Sequence, residues 1–219
     1  MNWTVDAGDH TTSAIYDPGQ GDVIPDTVFI CAHGAGGNML DGAMQKTAKA
    51  LTARGVSVVR FNFLYKERKS GRPDAMPVLQ KCYSAVVDRV RSDLKPKKIV
   101  IGGRSMGGRA ASMMAAEDFD CDGLLLYAYP LHPAGQPAKL RDAHLPMIKV
   151  PVLCFSGTRD PLCTPSLMEN ALKTVTTDWT MHWIEGADHS FHVLKSSGRT
   201  DAQVMDEIAD ASRSWLSAL

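Results

Sequence analysis

Residues 98–116 read KIVIGGRSMGGRAASMMAA, and this stretch carries the strongest structural signal in the chain. Lys98 to Ile101 is a short β-branched run that predicts a buried strand, and Arg109 to Ala116 has the composition of a helix. Between them, Gly103-Arg104-Ser105-Met106-Gly107 matches the pattern G-x-S-x-G. The glycines suit a sharp turn from strand to helix, because side chains there would collide with the neighbouring elements. The segment therefore predicts Ser105 as an exposed nucleophile.

The rest of the chain alternates short apolar runs with longer amphipathic stretches, which is typical of βαβ units around a mainly parallel sheet. Residues 65–72 are predicted as a polar, basic loop. No internal repeat or linker interrupts the pattern, so residues 1–219 are predicted to form a single α/β domain with helices on both faces of the sheet. Strands are expected at 27–32, 56–63, 98–101, 123–127, 150–155 and 179–184, and helices at 38–53, 74–93, 109–116, 165–172 and 202–219.

A serine hydroxyl becomes a good nucleophile only when an imidazole accepts its proton and a carboxylate orients that imidazole. In a strand-turn-helix nucleophile of this kind, the order along the chain is Ser, then Asp or Glu, then His. Asp160 directly follows the predicted strand 150–155 and its turn, at the sheet edge where open α/β sheets place their sites. A solvated turn aspartate is the alternative, since Asp160-Pro161 is a common turn pair. We predict Asp160 as the acid.

His189 lies in the loop after the last predicted strand, which is the position that the base requires. His192 is the one competing histidine and is expected to lie in a helix. Asp188 is a poor candidate for the acid, because an adjacent residue cannot easily direct its carboxylate at the His189 ring. We predict His189 as the base.

The oxyanion of an acyl-transfer intermediate needs two backbone N–H donors. Met106, which follows the nucleophile, is predicted to supply one. The glycine-rich segment His33-Gly34-Ala35-Gly36-Gly37 follows the first predicted strand, and Ala35 is the expected second donor, with Gly36 as the alternative. A phosphate-binding loop is disfavoured, because the segment lacks a third glycine at the required offset and a following G-K-[ST].

Taken together, these segments resemble small α/β-hydrolases near the dienelactone-hydrolase group. Residues 103–111, with 129–133 and 139–141, resemble more closely a group of predicted hydrolases of unknown substrate, which is similar to a subunit of the NSL chromatin-acetylation complex. The resemblance spans about residues 25–217 and implies an eight-stranded α/β-hydrolase domain with a Ser-Asp-His triad. Dienelactone hydrolases themselves carry cysteine as nucleophile, where this chain has Ser105.

Residues 130–149 are too few for an independent cap domain over the site, so we expect an open, shallow site and no cap. Small or accessible esters then fit better than long lipids. Arg104, Gly34, Gly36 and His132 are predicted to contact substrate, with Arg104 able to hold an anionic group. For His132, a structural role is an equally good interpretation. The basic loop at residues 63–73 is either a second anion contact or a solvated surface.

Lys plus Arg equals Asp plus Glu at 24 each, which disfavours nucleic acid and anionic membranes as partners. The first six residues lack the features of a signal peptide, and the five cysteines include no CxxC pair. These features favour the cytoplasm. We expect no cofactor and no metal, because His189 and His192 have no further ligands at suitable spacing. The expected partner is a small-molecule ester, and the oligomeric state is left open.

The sequence therefore predicts a serine hydrolase that acts through an acyl-enzyme on a small ester. Two alternatives remain. One is a non-catalytic scaffold that has kept the fold, since fold does not imply function. The other is a thioesterase or acyltransferase with the same triad, which differs only in the diffusible molecules that react.

Overall fold

A sheet of eight strands forms the centre of the protein, and the computed structural model describes all of residues 1–219. The strands are β1 (Asn2–Asp6), β2 (Thr11–Asp17), β3 (Thr27–Ala32), β4 (Ser57–Phe61), β5 (Lys98–Arg104), β6 (Gly123–Tyr127), β7 (Val152–Gly157) and β8 (Trp179–Ile184). The helices are α1 (Gly42–Thr52), α2 (Leu64–Glu67), α3 (Met76–Leu94), α4 (Met106–Ala116), α5 (Pro165–Leu172) and α6 (Asp201–Ala218), with 3₁₀ turns at Leu145–Met147 and Lys195–Ser197.

The strand order is β1-β2-β4-β3-β5-β6-β7-β8. Strands β3 to β8 are all parallel, whereas β1 pairs with β2 and β2 with β4 in antiparallel fashion. Because the carboxyl ends of parallel strands meet at one sheet edge, the turns after β3, β5, β7 and β8 are brought together. This confirms the prediction of a mostly parallel sheet with a single α/β-hydrolase architecture.

Alternate residues of the central strands face two separate apolar layers. In β5, Ile99 and Ile101 pack in a core with α3, α4 and α5, while Val100 packs in a second core with α1 and α6. Strands that are covered on both faces are expected to be continuously apolar, as β3, β5 and β6 are. Helices therefore cover both faces of the sheet, as predicted.

No cap domain covers the carboxyl edge of the sheet. The connection from β6 to β7, where the prediction placed the only room for one, contains a single 3₁₀ turn at Leu145–Met147. None of the helices combines the length and the apolar character needed to cross a bilayer.

Several predicted bounds are wrong for local reasons. Helix α1 begins at Gly42 and not at 38, because the Asp41 side chain caps it by accepting from the Met44 N–H at 2.8 Å. Helix α4 begins at Met106, immediately after the turn, three residues before the predicted start. The predicted loop 65–72 begins inside the short helix α2. The strands β1 and β2 were not predicted, because they form the antiparallel margin of the sheet and mix buried and exposed side chains.

Candidate active site

Ser105 lies at the junction of β5 and α4 in a strained backbone conformation. Its φ of 50° and ψ of −115° are rare for a residue with a side chain and cost on the order of 1–3 kcal/mol. The Ser105 N–H donates to the Tyr127 carbonyl at 2.8 Å, and the Ser105 carbonyl accepts from the Arg109 N–H at 3.0 Å. The turn is thus fixed by the neighbouring strand and by the following helix.

The glycines around Ser105 are required by the closeness of β3. A Cβ on Gly103 would lie 2.2 Å from the Ala32 carbonyl oxygen, and one on Gly107 would lie 2.5 Å from the same atom. Gly103 also has a φ of 132°, which side chains rarely allow. These contacts give the physical reason for the G-x-S-x-G spacing in this chain.

A continuous chain of hydrogen bonds links Ser105, His189 and Asp160. The His189 Nε2 atom lies 3.0 Å from the Ser105 Oγ atom, and the His189 Nδ1 atom lies 2.7 Å from Asp160 Oδ2. The Asp160 side chain is fully buried, while the His189 ring is 23% exposed. The structure thus brings together the three residues that the sequence predicted as nucleophile, acid and base.

The second carboxylate oxygen of Asp160 is also satisfied. Asp160 Oδ1 accepts from the Leu162 N–H at 2.8 Å, so the Asp160-Pro161 turn itself fixes the carboxylate. The carboxylate therefore points into the protein toward His189, unlike the solvated turn aspartate that was the alternative interpretation.

The competing residues of the His189 loop have other contacts. His192 does not lie in a helix, contrary to the prediction, and its Nδ1 atom pairs with Asp201 at 2.9 Å near the surface. Asp188 Oδ1 accepts from the N–H groups of Ser190 and His192 at 2.7 and 3.0 Å. The Asp188 side chain thus fixes the loop by accepting from its backbone N–H groups, and it makes no bond to the His189 ring.

Free backbone N–H groups occur directly after Ser105 and in the glycine-rich loop after β3. The Met106, Ala35 and Gly36 N–H groups have no acceptor within the protein. The glycine-rich loop after β3 passes beside Ser105, because a Cβ on Gly34 would lie 3.5 Å from the Ser105 Cβ. A helix N-terminus and a turn with unpaired N–H groups favour negative charge between them.

Two side chains hold the carbonyls of this loop. The His33 Nδ1–H donates to the Gly34 carbonyl at 2.8 Å, while the His33 Nε2 atom accepts from the Phe63 N–H at 3.1 Å. Burial lowers the pKa of His33 to about 4, so the ring is neutral and can make both bonds. The Tyr65 hydroxyl donates to the Ala35 carbonyl at 2.7 Å.

Tyr65 was missed in the sequence because it lies in a segment predicted as a basic loop. Its side chain is fully buried, and burial raises the pKa of its hydroxyl to about 12. An aromatic pair, Phe63 and Tyr65, within an otherwise charged stretch was the available signal. The segment after β4 therefore supports the glycine-rich loop.

Arg104 is bonded to the loop that contains His189. One Arg104 N–H donates to the His189 carbonyl at 2.8 Å, and its guanidinium lies 5.8 Å from the centre of the Phe191 ring. Burial lowers the pKa of Arg104, and the nearby charges of Asp41, Asp160 and Asp188 oppose that shift. Arg104 therefore stabilises the loop that carries His189.

Of the other predicted substrate contacts, Gly34 lies beside the nucleophile, and Gly36 has open space around its Cα. His132 is 3% exposed. Its Nδ1–H donates to the Pro133 carbonyl at 3.1 Å, and its Nε2 atom lies 3.0 Å from the Thr164 hydroxyl. Both ring nitrogens of His132 are thus used to join the loop after β6 to the start of α5.

A groove of about 860 Å³ lies between α1, α6 and the His189 loop. Arg104 and Phe191 line it, and its walls combine small apolar side chains of both helices with charged ones such as Lys46, Lys49 and Asp206. Its size lies within the range of small-molecule sites. The groove begins beside the nucleophile turn and opens to solvent.

Solved structures with this fold cover nearly the whole chain. A serine hydrolase homologue from Coxiella burnetii has a TM-score of 0.79 at 20% identity, covering 96% of each chain. An a/b serine hydrolase without lid from Xanthomonas campestris has a TM-score of 0.78 at 23% identity, covering 98% of this chain and 94% of the other. A dienelactone hydrolase from Anabaena variabilis has a TM-score of 0.74 at 20% identity, covering 98% and 95%.

At these identities the three structures show a shared fold. The family is shown by the sequence itself, since residues 25–217 match the family described as alpha/beta hydrolase domain. The protein belongs to the alpha/beta hydrolase family.

Proposed function

We propose that this protein is a serine hydrolase that cleaves small or accessible carboxylic esters through a covalent acyl-enzyme. The observation that carries the proposal is the bond chain from the Ser105 Oγ atom through the His189 ring to Asp160, at 3.0 and 2.7 Å. At these hydrogen-bond distances, His189 is able to accept the Ser105 hydroxyl proton, and Asp160 is able to orient the His189 ring.

In the first half-reaction, the Ser105 Oγ atom attacks the ester carbonyl carbon while the His189 Nε2 atom accepts the hydroxyl proton. The Asp160 carboxylate accepts from the His189 Nδ1–H, which fixes the required tautomer and stabilises the imidazolium. The Met106 N–H and the Ala35 N–H donate to the carbonyl oxygen as it becomes an oxyanion. His189 then returns its proton to the departing alkoxide, and the alcohol leaves.

In the second half-reaction, a water molecule attacks the acyl carbon as the His189 Nε2 atom accepts one of its protons. The same N–H donors stabilise the second oxyanion. Collapse of this intermediate breaks the bond to the Ser105 Oγ atom, which regains a proton from His189. The carboxylic acid is released and the free serine is restored.

The open carboxyl edge supports small or surface-presented esters as substrates. Nothing larger than a 3₁₀ turn lies in the connection from β6 to β7 to enclose a long acyl chain. The groove between α1 and α6 offers space beside Arg104 for one part of the substrate. Gly34 and Gly36 leave room for the ester next to the donor groups.

A thioesterase or an acyltransferase would use the same groups, and a scaffold would use none of them. The strained Ser105 backbone favours catalysis over a scaffold, because strain of this kind is retained where the surrounding structure holds it for function.

The wider setting of the enzyme remains a prediction. We infer a small-molecule ester as partner, no cofactor, and a cytoplasmic location, which the five free and buried cysteines favour. The relation to the chromatin-acetylation complex subunit also remains a prediction.

The test is hydrolysis of p-nitrophenyl esters of increasing chain length by the wild type, Ser105→Ala and His189→Ala. His10→Ala is the control, because His10 is an exposed histidine in the turn between β1 and β2. We expect both active-site variants to lose at least about a thousandfold in kcat, while the control keeps its activity. Activity that survives in Ser105→Ala would contradict the proposal.

A further inference from the structure

Two of the arginines without an acidic partner lie on elements that adjoin the nucleophile turn. Arg109 lies in α4 and Arg141 in the loop after β6, and neither has a carboxylate oxygen within ion-pair distance. The other arginines that lie within helices all have one: Arg89 pairs with Asp93, Arg91 with Asp120, and Arg213 with Asp22.

Arg109 is placed one helical turn after Ser105. Its N–H donates to the Ser105 carbonyl at 3.0 Å, so its backbone lies next to the nucleophile turn. The Nε atom of Arg109 is buried and has no hydrogen-bond partner. A buried guanidinium N–H without an acceptor is costly, so it is a position where a ligand oxygen would be stabilising.

Arg141 is held against the segment that follows β6, the strand that pairs with β5. Its N–H donates to the Leu131 carbonyl at 2.7 Å, and its guanidinium donates to the Pro130 carbonyl at 3.3 Å. The Tyr129 hydroxyl donates to the Arg141 carbonyl at 2.6 Å. These residues directly follow β6, whose Tyr127 carbonyl accepts from the Ser105 N–H.

The charge between the two arginines is uncompensated. Burial and then the charge of Arg109 lower the pKa of Arg141. The same two causes lower the pKa of His144 to about 4, so His144 is neutral and shares a hydrogen bond with Ser112 at 2.8 Å. Asp142 is the nearby carboxylate; its charge opposes the shift at His144, but it pairs with neither arginine.

We propose that Arg109 and Arg141 form an anion subsite that binds a carboxylate carried by the ester substrate. The substrate class is then a half-ester of a dicarboxylic acid, or an ester of a hydroxy acid. A carboxylate has two oxygens that match the guanidinium fork, and it would supply the acceptor that the Arg109 Nε–H lacks. The subsite is distinct from Arg104, which already donates to His189, and it rests on the proposed role of Ser105.

The test compares matched pairs of esters in a pH-stat. Monomethyl glutarate against methyl valerate places the carboxylate in the acyl part, and O-butyrylglycolate against ethyl butyrate places it in the alcohol part. The preference for the anionic ester is the ratio of its kcat/KM to that of the neutral ester. For at least one of the two pairs, we expect this ratio to be about tenfold or more lower in Arg109→Gln and in Arg141→Gln than in the wild type. Arg109→Lys should keep part of the preference, because it keeps the charge and loses the fork.

Arg89→Gln is the control, since Arg89 lies near the end of α3, away from the carboxyl edge of the sheet. It should leave the ratio unchanged. An unchanged ratio in the Arg109 and Arg141 variants, with neutral esters still hydrolysed, overturns the subsite and leaves the proposed function standing. Should Arg109→Gln fail to fold, Arg141→Gln and Arg109→Lys decide the same point.

Binding provides a second, independent measurement. In Ser105→Ala, equilibrium dialysis of the two anionic esters should give a Kd about tenfold tighter than in Ser105→Ala/Arg109→Gln. The binding measurement does not depend on hydrolysis, so it separates the two proposals. If the folded wild type hydrolyses no ester, the proposed function fails, but the dialysis still tests the anion subsite. Equal Kd values in the two proteins would overturn the anion subsite.

Discussion

Tyr65→Phe tests whether the glycine-rich loop is positioned for catalysis by the segment after β4. The substitution removes one hydroxyl and keeps the ring, which is fully buried beside His33 and Phe63. The Ala35 carbonyl then loses its donor at 2.7 Å, and the loop that carries the Ala35 N–H is freer to rotate.

The expected loss of stability is small. A hydrogen bond of this type contributes about 1 kcal/mol, and Ala35 is exposed, so water can replace the hydroxyl in part. For a protein of this size, about 1 kcal/mol lowers the Tm by about 2–4 °C. The protein therefore stays folded at the temperature of the assay.

The expected loss of activity is larger than this stability change suggests. Removing an oxyanion donor entirely costs about 10²- to 10³-fold in kcat, so displacing one should cost about tenfold, with little change in KM. The assay is steady-state hydrolysis of p-nitrophenyl acetate, with Tm measured on the same samples. Tyr16→Phe is the control, because its hydroxyl makes only a long contact of 3.4 Å with Ser57 at the start of β4.

A Tyr65→Phe protein with a lower Tm and an unchanged kcat would refute this reasoning. Tyr65 would then be a residue of the core only. A kcat that falls in Tyr16→Phe as well would show that general destabilisation, and not the Ala35 contact, causes the effect.

Three further predictions follow from the site. Gly107→Ala should lower the free energy of unfolding by at least about 1–3 kcal/mol in urea denaturation, because its Cβ would lie 2.5 Å from the rigid Ala32 carbonyl oxygen; an unchanged midpoint would contradict this. Asp160→Asn should keep the fold by circular dichroism and lower kcat by about 10⁴-fold, since the His189 tautomer would be wrong; a loss below tenfold would count against Asp160 as the acid. Stability should fall as the pH drops from about 6.5 to about 4, because burial lowers the pKa values of His33 and His144 to about 4 and the unfolded chain then binds these protons more readily. His33→Gln should reduce this slope, and an unchanged slope would be the adverse result.

The central elements could be predicted because their signals are local. The strand β3 and the strand β8 were placed with the correct bounds, since each is a β-branched or apolar run between clear turns. The order of Ser105, Asp160 and His189 along the chain was sufficient to select them. A parallel sheet brings the ends of distant strands to one edge, so order alone implies proximity.

Other features depend on contacts that one sequence does not reveal. The start of α1 is set by the Asp41 cap, and the glycine-rich loop is held by Tyr65 from a segment 30 residues away. The arginine pair is equally non-local, because the position of Arg141 is set by the return of its loop to Leu131. A charged side chain looks the same in sequence whether it is solvated or lacks a partner.

The identity of the reacting atom is tested most directly by mapping the adduct of a fluorophosphonate probe. The folded wild type, treated with a small excess of probe, is digested and its peptides are analysed by mass spectrometry. We predict a single phosphonate on the Ser105 hydroxyl, and no adduct in His189→Ala treated for the same time. A folded wild-type protein that remains unlabelled, or that is labelled at another residue, would contradict the assignment of Ser105 as the nucleophile.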